Sequence, residues 1–155
     1  MGVKDWGFRR VLLLAVGIFA LVGLAAAHSN AFVRVMVETA NVREGPGTRF
    51  DRSWQAYENY PLKVVGRRGD WLKTVDFEGY EGWIHAPLTD RQPAVVVKNE
   101  WANIRSGPGT KHPVAFTAER GVAFLLLGTR GNWLKVEHAD GDDGWIHKSL
   151  VWGAD

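Results

Sequence analysis

The sequence predicts an all-β chain, two small barrels in tandem behind an apolar N-terminal segment. Three observations carry this prediction. One is an internal repeat at a single offset of 62 residues, with 21 identities over the 53 positions from Glu38 to Asp90. A repeat of that length is a whole folding unit rather than a local motif. Another is the run of short β-branched and aromatic segments punctuated by Gly, Pro, Asn and Asp. The last is that no apolar period near 3.6 residues occurs outside residues 11–27.

Bulk composition narrows the function classes. A 62-residue unit buries only about 60% of its unfolded surface, so each core must be thin. Eight tryptophans add buried area, and four of them stand at the repeated Trp71/Trp133 and Trp83/Trp145 positions. The net charge of +2 comes from the N-terminus, because beyond residue 27 the chain holds 16 Lys/Arg against 16 Asp/Glu. No basic field remains for a phosphate backbone, which argues against nucleic acid as a partner. With no cysteine there are no disulfides, thiolate nucleophiles or Cys-based zinc sites.

Residues 1–27 are expected to be a signal peptide or a membrane anchor. Lys4, Arg9 and Arg10 precede seventeen uncharged, mostly apolar residues, Val11 to Ala27, and Ala25-Ala26-Ala27 offers a small-residue cleavage site. Seventeen residues are also the short limit for a helix crossing about 30 Å of hydrocarbon. Either reading sends the rest of the chain to the periplasm or another extracytoplasmic space. The membrane is then touched only through that helix, if it stays uncleaved.

The repeats are expected over residues 31–90 and 93–152. Phe32 to Val37 reads as a first strand, with Pro93–Val97 as its counterpart. Gly45-Pro46-Gly47 and Gly107-Pro108-Gly109 suit a type II turn at a loop tip, Pro fixing φ and Gly accepting positive φ. Val42 and Ile104, just before, are expected in the core, and Asn41 and Asn103 on local backbone groups. Ser53–Tyr57 and Val114–Thr117 read as short strands. Leu62–Gly66 and Val122–Gly128 read as clearer ones that end at glycine. In Trp71–Val75, Leu72 and Thr74 share one face while Trp71, Lys73 and Val75 share the other. Pairing Leu72 with Ile84 sets Lys73 opposite Trp83 and Trp71 opposite His85, on the outer surface; a slip of one residue reverses the faces. About five strands per unit result.

Asn-Val-Arg-x-Gly-Pro-Gly-Thr, Gly-x-Trp-Leu-Lys and Gly-Trp-Ile-His, present twice in register, resemble the bacterial SH3-like (SH3b) domain. The resemblance covers roughly residues 33–152 and implies an SH3-type barrel of five or six strands per repeat in an exported protein. It further implies a cell-wall targeting or peptide-binding module. Eukaryotic SH3 domains carry a ligand-binding Trp in a similar Gly-x-Trp segment, matching Trp71 and Trp133. Where their Pro-x-x-Tyr segment falls, this chain has His85-Ala86-Pro87-Leu88 and His147-Lys148-Ser149-Leu150, so the aromatic groove that polyproline needs is missing a wall.

The expected ligand-binding set is Arg43, Trp71, Lys73 and Trp83, with Arg105, Trp133, Lys135 and Trp145 in the second repeat. The tryptophans can stack on a sugar face or side chain, or complete a thin core. Arg43 and Arg105 can meet a ligand carboxylate or brace their turn. His85 and His147 lack the converging ligands of a metal site. The run His138 to Gly144 lacks the closing Glu and the spacing of a calcium loop. Ser149 near His147 has no oriented carboxylate. No catalytic constellation is visible, so the expectation is a protein that is not an enzyme, has no cofactor or metal, and recognises peptidoglycan or its stem peptides. The alternative is an extracytoplasmic adaptor for a peptide or envelope protein.

Overall fold

The computed structural model describes residues 31–153. The expected signal or anchor at residues 1–27 lies outside the described residues. Among the described residues no helix is long and apolar enough to cross a membrane.

Each repeat forms a seven-stranded antiparallel sheet. The first comprises β1 (Phe32–Val35), β2 (Thr39–Arg43), β3 (Arg52–Tyr57), β4 (Pro61–Arg68), β5 (Trp71–Val75), β6 (Glu81–His85) and β7 (Thr89–Asp90), with a 3-10 turn at Ala86–Leu88. The second comprises β8 (Ala94–Val97), β9 (Trp101–Arg105), β10 (Val114–Glu119), β11 (Ala123–Arg130), β12 (Trp133–Glu137), β13 (Asp143–His147) and β14 (Val151–Gly153), with a 3-10 turn at Lys148–Leu150. The strand order β3-β2-β6-β5-β4-β1-β7 recurs as β10-β9-β13-β12-β11-β8-β14. The count exceeds the expected five because the Asn41–Arg43 stretch is itself a strand and because β7 is too short to leave a sequence pattern.

Alternation drives the local structure. Leu72 and Thr74 point inward from β5 and Ile84 from β6, while Trp71, Lys73, Trp83 and His85 are half-buried on the outer face. The register pairs Leu72 with Ile84, Lys73 with Trp83 and Trp71 with His85, and repeat two pairs Leu134 with Ile146 in the same way. Val35 from β1, Val42 from β2, Ala56 from β3, Leu62 from β4 and Ile84 from β6 are all fully buried in one cluster. Contact among residues from so many strands of one sheet requires the sheet to roll around them. Gly66 and Gly128 do not end their strands. They sit where the β4–β5 and β11–β12 registers shift, and the strands run on to Arg68 and Arg130. A bulge bends the strand without terminating it.

The repeats share an apolar interface. β8 is buried at all four residues, unlike β1, where the outward positions are only half-covered. Val95 and Val97 serve the core of repeat two. Val96 points the other way and joins the core of repeat one with Ala123 and Trp152, its partners across β11 and β14. Phe32 meets Trp152 edge-to-face at 4.9 Å. Arg120 of repeat two lies over Phe77 at 5.0 Å and donates to Glu78 at 2.8 Å. That ion pair is exposed and adds little by itself, so burial of Val96, Ala123 and Trp152 holds the interface.

This packing makes the repeats unfold together: a Trp152→Ala variant is expected to lower the thermal midpoint in one shared transition. Two separated calorimetric transitions in the wild type would contradict it. Burial, with the carboxylates of Asp76 and Glu78 nearby, pushes the Tyr60 phenol above its ordinary value, and the weaker pull of Arg120 does not cancel this. The unfolded phenol ionises near pH ~10 while the folded one stays neutral. Stability is therefore fully present below that pH and declines as pH rises beyond it. Tyr60→Phe is expected to flatten this alkaline decline in urea unfolding midpoints measured from neutral to strongly alkaline pH.

Candidate functional site

The outer face of repeat two carries a half-open groove of about 400 Å³. Its wall from β9 supplies Trp101, Asn103 and Arg105, the outward residues of a strand whose Ala102 and Ile104 face the core. Trp133 enters from β12 and His147 from β13, and Thr110 comes from the loop after β9. Ser149 and Leu150 of the 3-10 turn close one end.

Register brings the aromatic pair together. Trp133 and His147 are cross-strand partners, their ring centroids 5.3 Å apart in an edge-on arrangement, and Trp71 and His85 repeat the pairing at 5.1 Å. Nδ1 of His147 accepts the Ser149 backbone N–H at 3.3 Å and lies 2.7 Å from the Ser149 Oγ. An acceptor at Nδ1 leaves the ring proton on Nε2. The imidazole is thus held in one orientation by the turn that follows it.

Arg105 and Arg43 brace their loops. Nη1 of Arg105 donates to the carbonyls of Thr110 at 3.2 Å and His112 at 2.9 Å, and Nη1 of Arg43 donates to the Phe50 carbonyl at 2.8 Å. A guanidinium has five N–H donors, so bracing through Nη1 leaves the Nε and Nη2 donors outside these loop bonds.

The loop differs from the type II turn expected of Gly-Pro-Gly. The Gly47 N–H donates to the Gly45 carbonyl at 3.0 Å, and Gly109 does the same to Gly107. Each is a three-residue turn centred on proline. The first glycine is required by close approach: a Cβ on Gly45 would lie 2.5 Å from the Phe50 ring, and one on Gly107 would lie 2.5 Å from the His112 ring. An aromatic ring five residues on covers the turn and selects it. Asn41 also departs from expectation, its Oδ1 accepting from Gln55 Nε2 across β2 and β3 at 3.1 Å instead of bonding locally.

The remaining expected residues, Trp145 and Lys135 in repeat two and Trp83 and Lys73 in repeat one, are not among those that line the groove. Trp145 is paired with Arg105 on one side and Lys135 on the other, and Trp83 stands in the same way between Arg43 and Lys73. Lys135 Nζ lies 6.0 Å from the Trp145 ring centre and 2.8 Å from Asp143, and Lys73 Nζ lies 2.6 Å from Glu81. Both lysines are thus partnered by acids on the neighbouring strand. Trp101, 56% exposed, escaped the sequence reading. The repeat hides it, because the matching residue of repeat one is Thr39 and identity at the offset was the signal followed. Among the described residues no group of His, Cys, Asp or Glu could hold a metal ion.

The bacterial SH3 domain family matches residues 38–90 and again residues 98–153. The chain is a tandem of two bacterial SH3 domains. Among curated proteins it is 26% identical over 139 residues to the "Putative N-acetylmuramoyl-L-alanine amidase YrvJ" of Bacillus subtilis (strain 168), an alignment covering 83% of this chain and 26% of that protein. It is 32% identical over 60 residues to the "Probable cell wall amidase LytH" of Staphylococcus epidermidis (strain ATCC 35984), covering 38% of this chain and 21% of that protein. Among solved structures, an NlpC/P60 family protein from Bacillus cereus ATCC 10987 superposes with a TM-score of 0.38 at 18% identity, covering 79% of this chain and 56% of that one. The matched segment spans about a quarter of the curated relatives' length. These relatives correct the expectation of a protein that is not an enzyme. That expectation rested on the lack of a catalytic constellation in the repeats, whereas the proteins that share these SH3 domains are named as amidases.

Loss of the loop brace should be directly visible. Arg105→Lys keeps the charge but cannot span the Thr110 and His112 carbonyls. At roughly 1 kcal/mol per hydrogen bond, amide exchange at Gly109 and His112 is expected to quicken by about tenfold, and unchanged exchange there would show that the loop holds itself.

Proposed function

We propose that this protein binds peptidoglycan through its SH3 domains, using the groove between the Gly-Pro-Gly loop and the Trp133 strand, at an extracytoplasmic cell-wall location. The supporting observation is the groove itself, which is lined by an aromatic indole–imidazole pair and by Arg105. Such a site suits a stem peptide. An aliphatic side chain or a sugar face covers the rings, and a carboxylate meets the guanidinium in charge-assisted hydrogen bonds. The names of the relatives point the same way, since an amidase of the cell wall works on the polymer that such a module would hold. On this reading the tandem places amidase-type hydrolysis on the wall.

Co-sedimentation of the full chain with isolated peptidoglycan sacculi tests this. Wild type is expected in the pellet, and a Trp71→Ala/Trp133→Ala variant of unchanged circular dichroism is expected to bind about tenfold more weakly. A folded wild type that stays in the supernatant would sink the proposal and turn attention to a peptide or envelope-protein partner.

A further inference from the structure

We infer that repeat two carries an extended site pivoting on Trp101, which takes a peptide with a lysine-type cationic side chain at one end and a carboxylate at the other. This rests on the groove proposed above and adds a second half to it. Trp101 lines two clefts, the groove holding Arg105 and a neighbouring cleft of about 470 Å³ on its other side. The second cleft has an apolar wall from the partly exposed Phe116 and Val122, with the fully buried Phe124 beneath, and an acidic rim from Glu119, Asp140 and Asp142. One half therefore offers a cation and the other offers carboxylates, with an exposed indole between them. An extended chain of three residues covers about 10 Å, and a flat aromatic is a good surface over which to lay it.

Repeat one shows what such an acidic turn accepts. Glu78 aligns with Asp140 at the 62-residue offset, and Glu78 already holds the Arg120 guanidinium, which also stacks on Phe77. The same turn in repeat two has no such tenant among the described residues. Asp140 meets only the imidazole of His138, at 2.8 Å, and the backbone N–H of Asp142, at 3.1 Å. These bonds, the backbone one first, hold its carboxyl below the usual range, so it stays charged. Repeat one also lacks the pivot, having Thr39 in place of Trp101. The two repeats are thus unequal, and repeat two is the reader.

The test is an NMR titration of the full chain with N-acetyl-Lys-Ala-Ala bearing a free carboxylate. Saturable shifts are expected at the Trp101 indole and at the amides from Asp140 to Asp142. Acetylating the probe's lysine, amidating its C-terminus, or making Trp101→Ala should each weaken binding by about tenfold, while Thr39→Ala should change nothing. Trp101 is largely exposed, so its alanine variant keeps the core. Absence of a saturable shift at Trp101, or equal binding of the acetylated probe, overturns the inference. If Trp133→Ala weakens sacculus binding while Trp101→Ala does not, the extension fails and the groove stands. If sacculus binding survives both changes, the groove reading fails and this inference with it.

Discussion

Strand β6 can approach β2 only because residue 82 has no side chain. A Cβ on Gly82 would run into the Val42 side chain, and one on Gly144 would run into Ile104 and lie 2.9 Å from the Arg105 carbonyl. Val42 and Ile104 are fully buried, so they fill the space that a larger residue at 82 or 144 would claim. Closure of the sheet at this point does more than complete the core. It makes Arg43 the neighbour of Trp83 and Arg105 the neighbour of Trp145. The loop after β2 or β9 is thereby carried beside the outer face of the β5–β6 or β12–β13 hairpin. A groove between loop and hairpin exists because the strands beneath them are hydrogen-bonded neighbours.

Much of this was legible in the sequence because a period of two permits few arrangements. Once Leu72, Thr74 and Ile84 face inward, Trp71, Lys73, Trp83 and His85 must face outward, and the duplication offers the same answer twice. The loop was less legible. Gly-Pro-Gly fits more than one turn, and the choice is made by groups outside it, an aromatic ring packed on the first glycine and an arginine tied to the loop carbonyls. Those contacts depend on where the chain returns, which turn propensity does not encode. Trp101 stayed hidden for a different reason. Following identities between repeats finds what the repeats share, while a residue that sets one repeat apart is invisible to that comparison. The expectation that the protein is not an enzyme was drawn from the repeats alone, too narrow a basis for judging a protein whose relatives are several times longer than the matched segment.

The interface between repeats shows how one position in a duplicated fold takes two physical solutions. Arg34 and Asp90 are cross-strand partners on β1 and β7, joined by two bonds of 2.9 Å each, with Asn59 Oδ1 as a further acceptor. At the equivalent place in repeat two, Val96 pairs with Trp152. A bidentate ion pair fits a partly buried surface, since its two parallel bonds keep both charges partnered. A valine–tryptophan pair fits only a surface that will be covered, and repeat one covers it. The substitution pattern is therefore directional: repeat two presents the apolar face and repeat one receives it.

That asymmetry bears on how the two domains divide their work. Arg120 is spent on Glu78 at the interface, so the acidic turn of repeat one is occupied by its own neighbour. The corresponding turn of repeat two holds no arginine among the described residues and keeps Asp140 and Asp142 at the rim of a cleft. A flexible pair of equal domains would gain affinity by engaging two ligands with an effective concentration set by the linker. Here an apolar contact replaces the slack that such a gain requires, because Val96, Ala123 and Trp152 are packed into the first core. The benefit of the duplication lies instead in support. A 62-residue barrel has a thin core, and covering its outer strands with a second copy lets repeat two expose an unpaired indole and an open groove without relying on its own small interior for stability.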